Sequence, residues 1–92
     1  MVRGFKHKGL ERFFLRGTKY RIQAKHASRL RLILGRLHAA TNEQDMNLPG
    51  LFLHQLTGKK AGIWSVRVSG NWRVTFKFDG EHAHLVDYEV YH

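Results

Sequence analysis

The chain has 92 residues, 42% of them hydrophobic and 12% aromatic, enough apolar material for one small core, so a single domain over residues 1–92 is expected. There is no cysteine, which excludes disulfides and thiolate zinc sites and points to a reducing compartment. No apolar run approaches a membrane span, and the start MVRGFKHKGL lacks the apolar stretch of a secretory signal, so the expected location is the cytoplasm, with no membrane partner.

Sixteen Lys and Arg against seven Asp and Glu give a net charge of +9, which favours a polyanionic partner. Residues 1–42 hold eleven Lys/Arg and one acid, a net +10, whereas residues 43–92 hold five and six, a net −1. The halves therefore have different work to do. Solubility and an acidic protein partner are the alternatives to nucleic acid.

In chain order, residues 2–6 suit a short first strand. A helix follows over residues 8–16, ended by Gly17, because glycine readily takes the left-handed conformation in which helices stop. Across residues 22–40, Ala27, Leu30, Ile33, Leu34 and Leu37 recur at helical spacing and form a core stripe, with Lys25, Arg29 and Arg36 largely off it. That basic back is either a solvated face or a surface for RNA phosphates, with Arg29 and Arg36 as its candidates. The only proline lies in the loop-like stretch TNEQDMNLPG, residues 41–50. Strands are expected at 51–56, 63–69, 72–78 and 82–88, the last two joined by an Asp79-Gly80 turn. The fold class is therefore α+β, with two N-terminal helices packed on an antiparallel sheet of about four to five strands.

Alternation places Trp64, Val66 and Val68 on one strand face and Trp72, Val74, Phe76 and Phe78 on one face of the next. Both sets reach one core if pairing is symmetric about Gly70, with Val68 opposite Trp72 and Arg67 opposite Arg73. Like charges directly opposed cost up to about 1 kcal/mol. Extending the register through Asp79-Gly80 sets Val86 against Arg73 and His84 against Thr75, adding an imidazole to the outer face and no carboxylate. A phosphate is the expected counter-charge; splaying of both guanidinium groups into water is the alternative.

The segment GIWSVRVSGNWRVTF at 62–76, the ending YEVYH and the early FKHKGL at 5–10 resemble the HigB-type toxins of bacterial type II toxin–antitoxin pairs, within the RelE/ParE-like superfamily. The resemblance runs the full chain and implies the RelE-like microbial ribonuclease fold. It implies ribosome-dependent cleavage of mRNA without a metal or other cofactor, by attack of a ribose 2′-hydroxyl on its neighbouring phosphate. The implied partners are the ribosome through its small-subunit rRNA, the mRNA, and a neutralising helix-turn-helix antitoxin, with operator DNA reached only through that antitoxin. The positions that match the family's active-site set are His54, Arg73, Tyr91 and His92. One position departs: where close relatives read Asp-Tyr-His, this chain reads Val90-Tyr91-His92, which removes a carboxylate and puts the strength of catalysis in question.

Metal-free transesterification needs a base for the 2′-hydroxyl, donors for the phosphorane and an acid for the leaving 5′ oxygen. Imidazole, with an ordinary pKa near 6.5, suits both proton roles; His54 and His92 are the base and acid in an order left open. Tyr91 suits a hydrogen bond to the scissile phosphate or stacking on a base, and Arg73 suits bidentate phosphate binding. Each has a plainer counterpart, a semi-buried histidine in LFLHQL and a frayed Tyr-His end. Lys59 and Lys60 in the GKKAG turn, with Arg67 and His84, are candidates for flanking phosphates. The seven histidines lack zinc-ligand spacing, His82-x-His84 included. The competing function is a non-catalytic module, either a gyrase-directed ParE-like inhibitor or an RNA-binding domain; new mRNA 5′ ends within ribosome-bound codons would separate the two.

Overall fold

The computed structural model describes residues 1–90. Two helices, α1 (Lys8–Arg16) and α2 (Ala27–Ala39), precede a four-stranded antiparallel sheet of β1 (His54–Gln55), β2 (Trp64–Ser69), β3 (Trp72–Asp79) and β4 (His82–Val90), in the spatial order β1-β2-β3-β4. The expected α+β class holds. Among the described residues no helix is long and apolar enough to cross a membrane.

Helix α1 begins where the His7 ring nitrogen accepts the Leu10 N–H at 2.9 Å, and it ends at Gly17, whose φ of 75° lets its N–H reach the Phe13 carbonyl at 2.9 Å. The second helix starts later than the apolar spacing suggests. Residues Ala24–His26 form a 3₁₀ turn with no side-chain cap, and the helix proper begins at Ala27, directly after the buried His26 whose ring contacts Tyr88 of the sheet.

The anticipated stripe of Ala27, Leu30, Ile33, Leu34 and Leu37 is buried against the sheet. Leu10 and Phe13 of α1, Met46 and Leu51 of the connecting segment, and Val66, Val74, Phe76 and Val86 of the strands complete the core. Residues 2–6 form no strand. They make single parallel bridges, Val2 to Ala83 and Phe5 to Val86, and the ladder breaks between them where β4 bulges.

Two bulges decide which side chains face which way. Across β2 and β3 the pairs are Trp64–Phe76, Val66–Val74 and Arg67–Arg73, as symmetry about Gly70 requires, but Ser69 rather than Val68 opposes Trp72. The loop is thus the two residues Gly70-Asn71, and Val68 is the extra residue. A bulge absorbs the one-residue slip that would otherwise have turned one apolar set outward.

The β3–β4 turn is Gly80-Glu81, since Asp79 pairs with His82. The register then shifts again at Leu85, an exposed non-glycine residue in the left-handed region with φ 54°. His84 therefore stands across from Lys77, Asp87 from Thr75, and Glu89 from Arg73. The expected pairs Val86–Arg73 and His84–Thr75 do not form, and the outer face holds two carboxylates that the sequence register left out.

The expected strand at 51–56 shrinks to His54–Gln55. Gly50 and Phe52 both have positive φ, 83° and 52°, so the chain here cannot follow an extended ladder. It is held instead by Arg29, which donates to the Gly50 carbonyl at 2.6 Å, and by the Arg67 N–H, which donates to the Leu51 carbonyl at 2.7 Å.

A buried side-chain hydrogen bond joins the helical layer to the sheet. The Tyr88 hydroxyl and His26 Nδ1 share a 2.6 Å hydrogen bond, with Trp72 stacked on Tyr88 at 4.7 Å. His26 is only 2% exposed. Burial, aided by Lys25, lowers its pKa from the ordinary 6.5, and burial likewise lowers that of His7, against an opposing pull from Asp87.

The unfolded chain therefore takes up protons below about pH 6.5 that these histidines refuse in the fold, so their contribution to stability is present above that pH and is lost as pH falls through it. Thermal melts at pH 7.5 and 5.5 are expected to show a lower melting temperature at the acid end. Tyr88→Phe strands a buried ring nitrogen and is expected to cost about 1 to 3 kcal/mol at pH 7.5; an unchanged melting temperature would contradict this role.

Candidate active site

The sheet face turned away from the core carries two transverse rows. One runs His54, Ser65, Thr75, Asp87 across β1 to β4; the next runs Arg67, Arg73, Glu89. Successive same-face residues along a strand lie about 7 Å apart, comparable to the spacing of phosphates along an extended strand. Ser65 and Thr75 are buried small hydroxyl residues, and they make a low floor in the middle of the first row.

On this floor lies a groove of about 490 Å³ lined by Phe52, Leu53, His54, Ser65, Arg67 and Arg73. The fold thus brings together three of the residues named from the sequence, His54, Arg67 and Arg73. Phe52, pushed outward by its left-handed backbone and 64% exposed, lies 5.6 Å under the Arg67 guanidinium. That cation–π contact holds Arg67 beside Arg73 while leaving its N–H edges available.

The adjoining part of the face is lined by Lys6, Lys59, Lys60, Ile63, Thr75, Leu85, Asp87 and Glu89. Lys59 and Lys60 belong to a 3₁₀ turn, Gly58–Lys60, opened by Gly58 at φ 69°. Lys60 Nζ lies 3.4 Å from a Glu89 carboxylate oxygen.

Other named residues lie elsewhere. His84 shares the outer face but sits past the bulge, opposite Lys77 and against the Gly4 backbone. Arg36 is exposed on α2, whereas Arg29 is half-buried and bonded to Gly50, which gives it an anchoring job in the fold. Tyr91 and His92 lie outside the described residues.

Val90 pairs with Trp72 and lines a second cavity of about 650 Å³ with His7, Arg21, Tyr88 and Glu89. A carboxylate at position 90 would therefore stand on the Trp72 side of the strand, and the acid across from Arg73 is Glu89. Sequence reasoning missed Glu89 and Phe52. Glu89 was hidden by the Leu85 bulge and Phe52 by a backbone twist that leaves no mark in side-chain alternation.

The basic groove with a histidine at one end, two opposed arginines and a hydroxyl floor is equipped to bind a phosphodiester and to move protons at it. A sequence model described as "RelE-like toxin of type II toxin-antitoxin system HigB" matches residues 3–92. The chain is also 37% identical to the protein named Endoribonuclease HigB of Proteus vulgaris over 92 residues, covering all of both chains. With residues 3–92 matched by the family model and the full length by the relative, the chain belongs to the HigB-like family of RelE-like toxins from type II toxin–antitoxin systems.

Proposed function

We propose that this chain is a metal-independent endoribonuclease that cuts mRNA on the ribosome, slows translation and growth, and is neutralised by a helix-turn-helix antitoxin through which the pair reaches operator DNA. The observation that carries the reading is the gathering of His54, Arg67 and Arg73 around one groove, in a chain that matches an endoribonuclease from end to end.

In this reading one imidazole, His54 or His92, removes the 2′-hydroxyl proton. The freed oxygen attacks the adjacent phosphorus, and the bond to the 5′ oxygen breaks. The other imidazole protonates that leaving oxygen. Arg73, half-buried at the groove wall, supplies two N–H donors to the non-bridging oxygens, where charge builds in the phosphorane. Arg67 and the turn lysines Lys59 and Lys60 take flanking phosphates, and Tyr91 hydrogen-bonds the scissile phosphate or stacks on a base. The exposed basic helical face, with Arg36, suits docking on small-subunit rRNA in the cytoplasm.

Internal attack leaves a 2′,3′-cyclic phosphate and a 5′-hydroxyl. Mapping message fragments from a translating extract is expected to find new ends of this kind within ribosome-bound codons. A 3′-hydroxyl paired with a 5′-phosphate would overturn the mechanism, and the absence of new ends would overturn the enzymatic reading.

A further inference from the structure

Near Arg73 and Thr75 the outer sheet face mixes cations with the carboxylates Asp87 and Glu89, and these differ in what they do. Asp87 turns one oxygen back to accept the Tyr88 N–H at 2.9 Å and faces His7, whose pKa it pulls upward. Glu89 has no such tie. It stands directly across from Arg73 in the ladder, pairs with Lys60 at 3.4 Å, and reaches both the groove face and the cavity behind it. A fixed negative charge at that point is an odd feature beside a groove read as the path of a polyanion.

Resting on the reading of this face as the RNA path, we infer that Glu89 is a selectivity residue that occupies Lys60 as an internal counter-ion and keeps the groove's affinity for unanchored RNA low. The exchange is reversible because the pair is only partly buried, Lys60 being 55% and Glu89 31% exposed, and exposed ion pairs of this kind are weak. A phosphate delivered in register by other contacts displaces the carboxylate from Lys60. A strand arriving with none must compete with it for the same ammonium and meets the repulsion of Glu89 beside Arg73. Lys60 is thus a phosphate contact held in reserve, and Glu89 is what holds it.

The probe is a ten-nucleotide RNA methylated at every 2′-oxygen, so that it binds and cannot be cut, titrated against the full chain at several salt concentrations. Glu89→Gln keeps the side chain's shape and removes its charge. It is expected to tighten binding about five- to tenfold at 50 mM salt and to steepen the plot of log affinity against log salt by about 0.7, the value of one added phosphate contact on a single strand.

Lys60→Ala is expected to weaken binding several-fold more in the Glu89→Gln background than in the wild-type background, because only there is the ammonium free. The melting temperature of Glu89→Gln should stay at the wild-type value. Unchanged affinity and slope in Glu89→Gln, or equal effects of Lys60→Ala in both backgrounds, overturns the inference. Arg67→Ala, which removes a flanking-phosphate contact from the groove, separates the two levels in the same titration. If it weakens binding while Glu89→Gln changes nothing, the inference alone falls; if Arg67→Ala leaves binding intact, this face is not the RNA path and both fall.

Discussion

Arg73→Ala is expected to slow cleavage about a hundred- to a thousandfold while leaving the protein folded. Deleting a donor aimed at charge that develops only in the transition state removes roughly 3 to 4 kcal/mol of stabilisation, and Arg73 is placed for that task by the ladder itself, opposite Arg67 on one side and Glu89 on the other. Its structural contribution is small for the same reason. Repulsion from Arg67 and attraction to Glu89 oppose each other, each within about 1 kcal/mol. The melting temperature is therefore expected to move little. A large loss of stability would mean that lost activity reports lost fold. Arg73→Lys keeps the positive charge but gives up the two-pronged donor geometry, and it is expected to recover only part of the rate.

His54→Gln and His92→Gln are each expected to slow the reaction about a hundredfold or more, the usual worth of a positioned proton donor or acceptor. Glutamine hydrogen-bonds where imidazole did but carries no proton. Each variant should accordingly lose one limb of the pH–rate profile, and the limb that disappears assigns base or acid. His54 opens the short strand β1 opposite Ser65, exposed at the groove, so its replacement leaves the core untouched. A variant that retains both limbs and the full rate would remove that histidine from the mechanism.

Much of the scaffold was readable in the residues because simple periodicities governed it. The stripe from Ala27 to Leu37 is buried as its spacing requires, and Gly17 closes α1. The Arg67–Arg73 opposition followed from demanding that Trp64, Val66, Val74 and Phe76 share one core. The departures arise where the backbone leaves its regular path. Val68 and Leu85 are extra residues in their strands, and a bulge changes the facing of everything beyond it without altering the order of apolar and polar residues nearby.

Placing the last turn at Asp79-Gly80 instead of Gly80-Glu81 added to that error, so Glu89 was missed as the neighbour of Arg73. The strand at 51–56 failed for a related reason: apolar content suggested extension, while Phe52 sits in the left-handed region. The candidate groove was legible in part. His54, Arg67 and Arg73 converge in it, whereas Arg29 serves the Gly50 loop and His84 lies beyond the bulge.

The central claim is that this groove performs the cut, and single-turnover cleavage of message in a programmed ribosome complex tests it most directly. With wild type, Arg73→Ala and His92→Gln each in excess over ribosomes, the predicted result is rapid cleavage by the wild type and rates at least a hundredfold lower for both folded variants. Wild-type rates from both variants would show that the chemistry takes place somewhere other than the groove formed around Arg73.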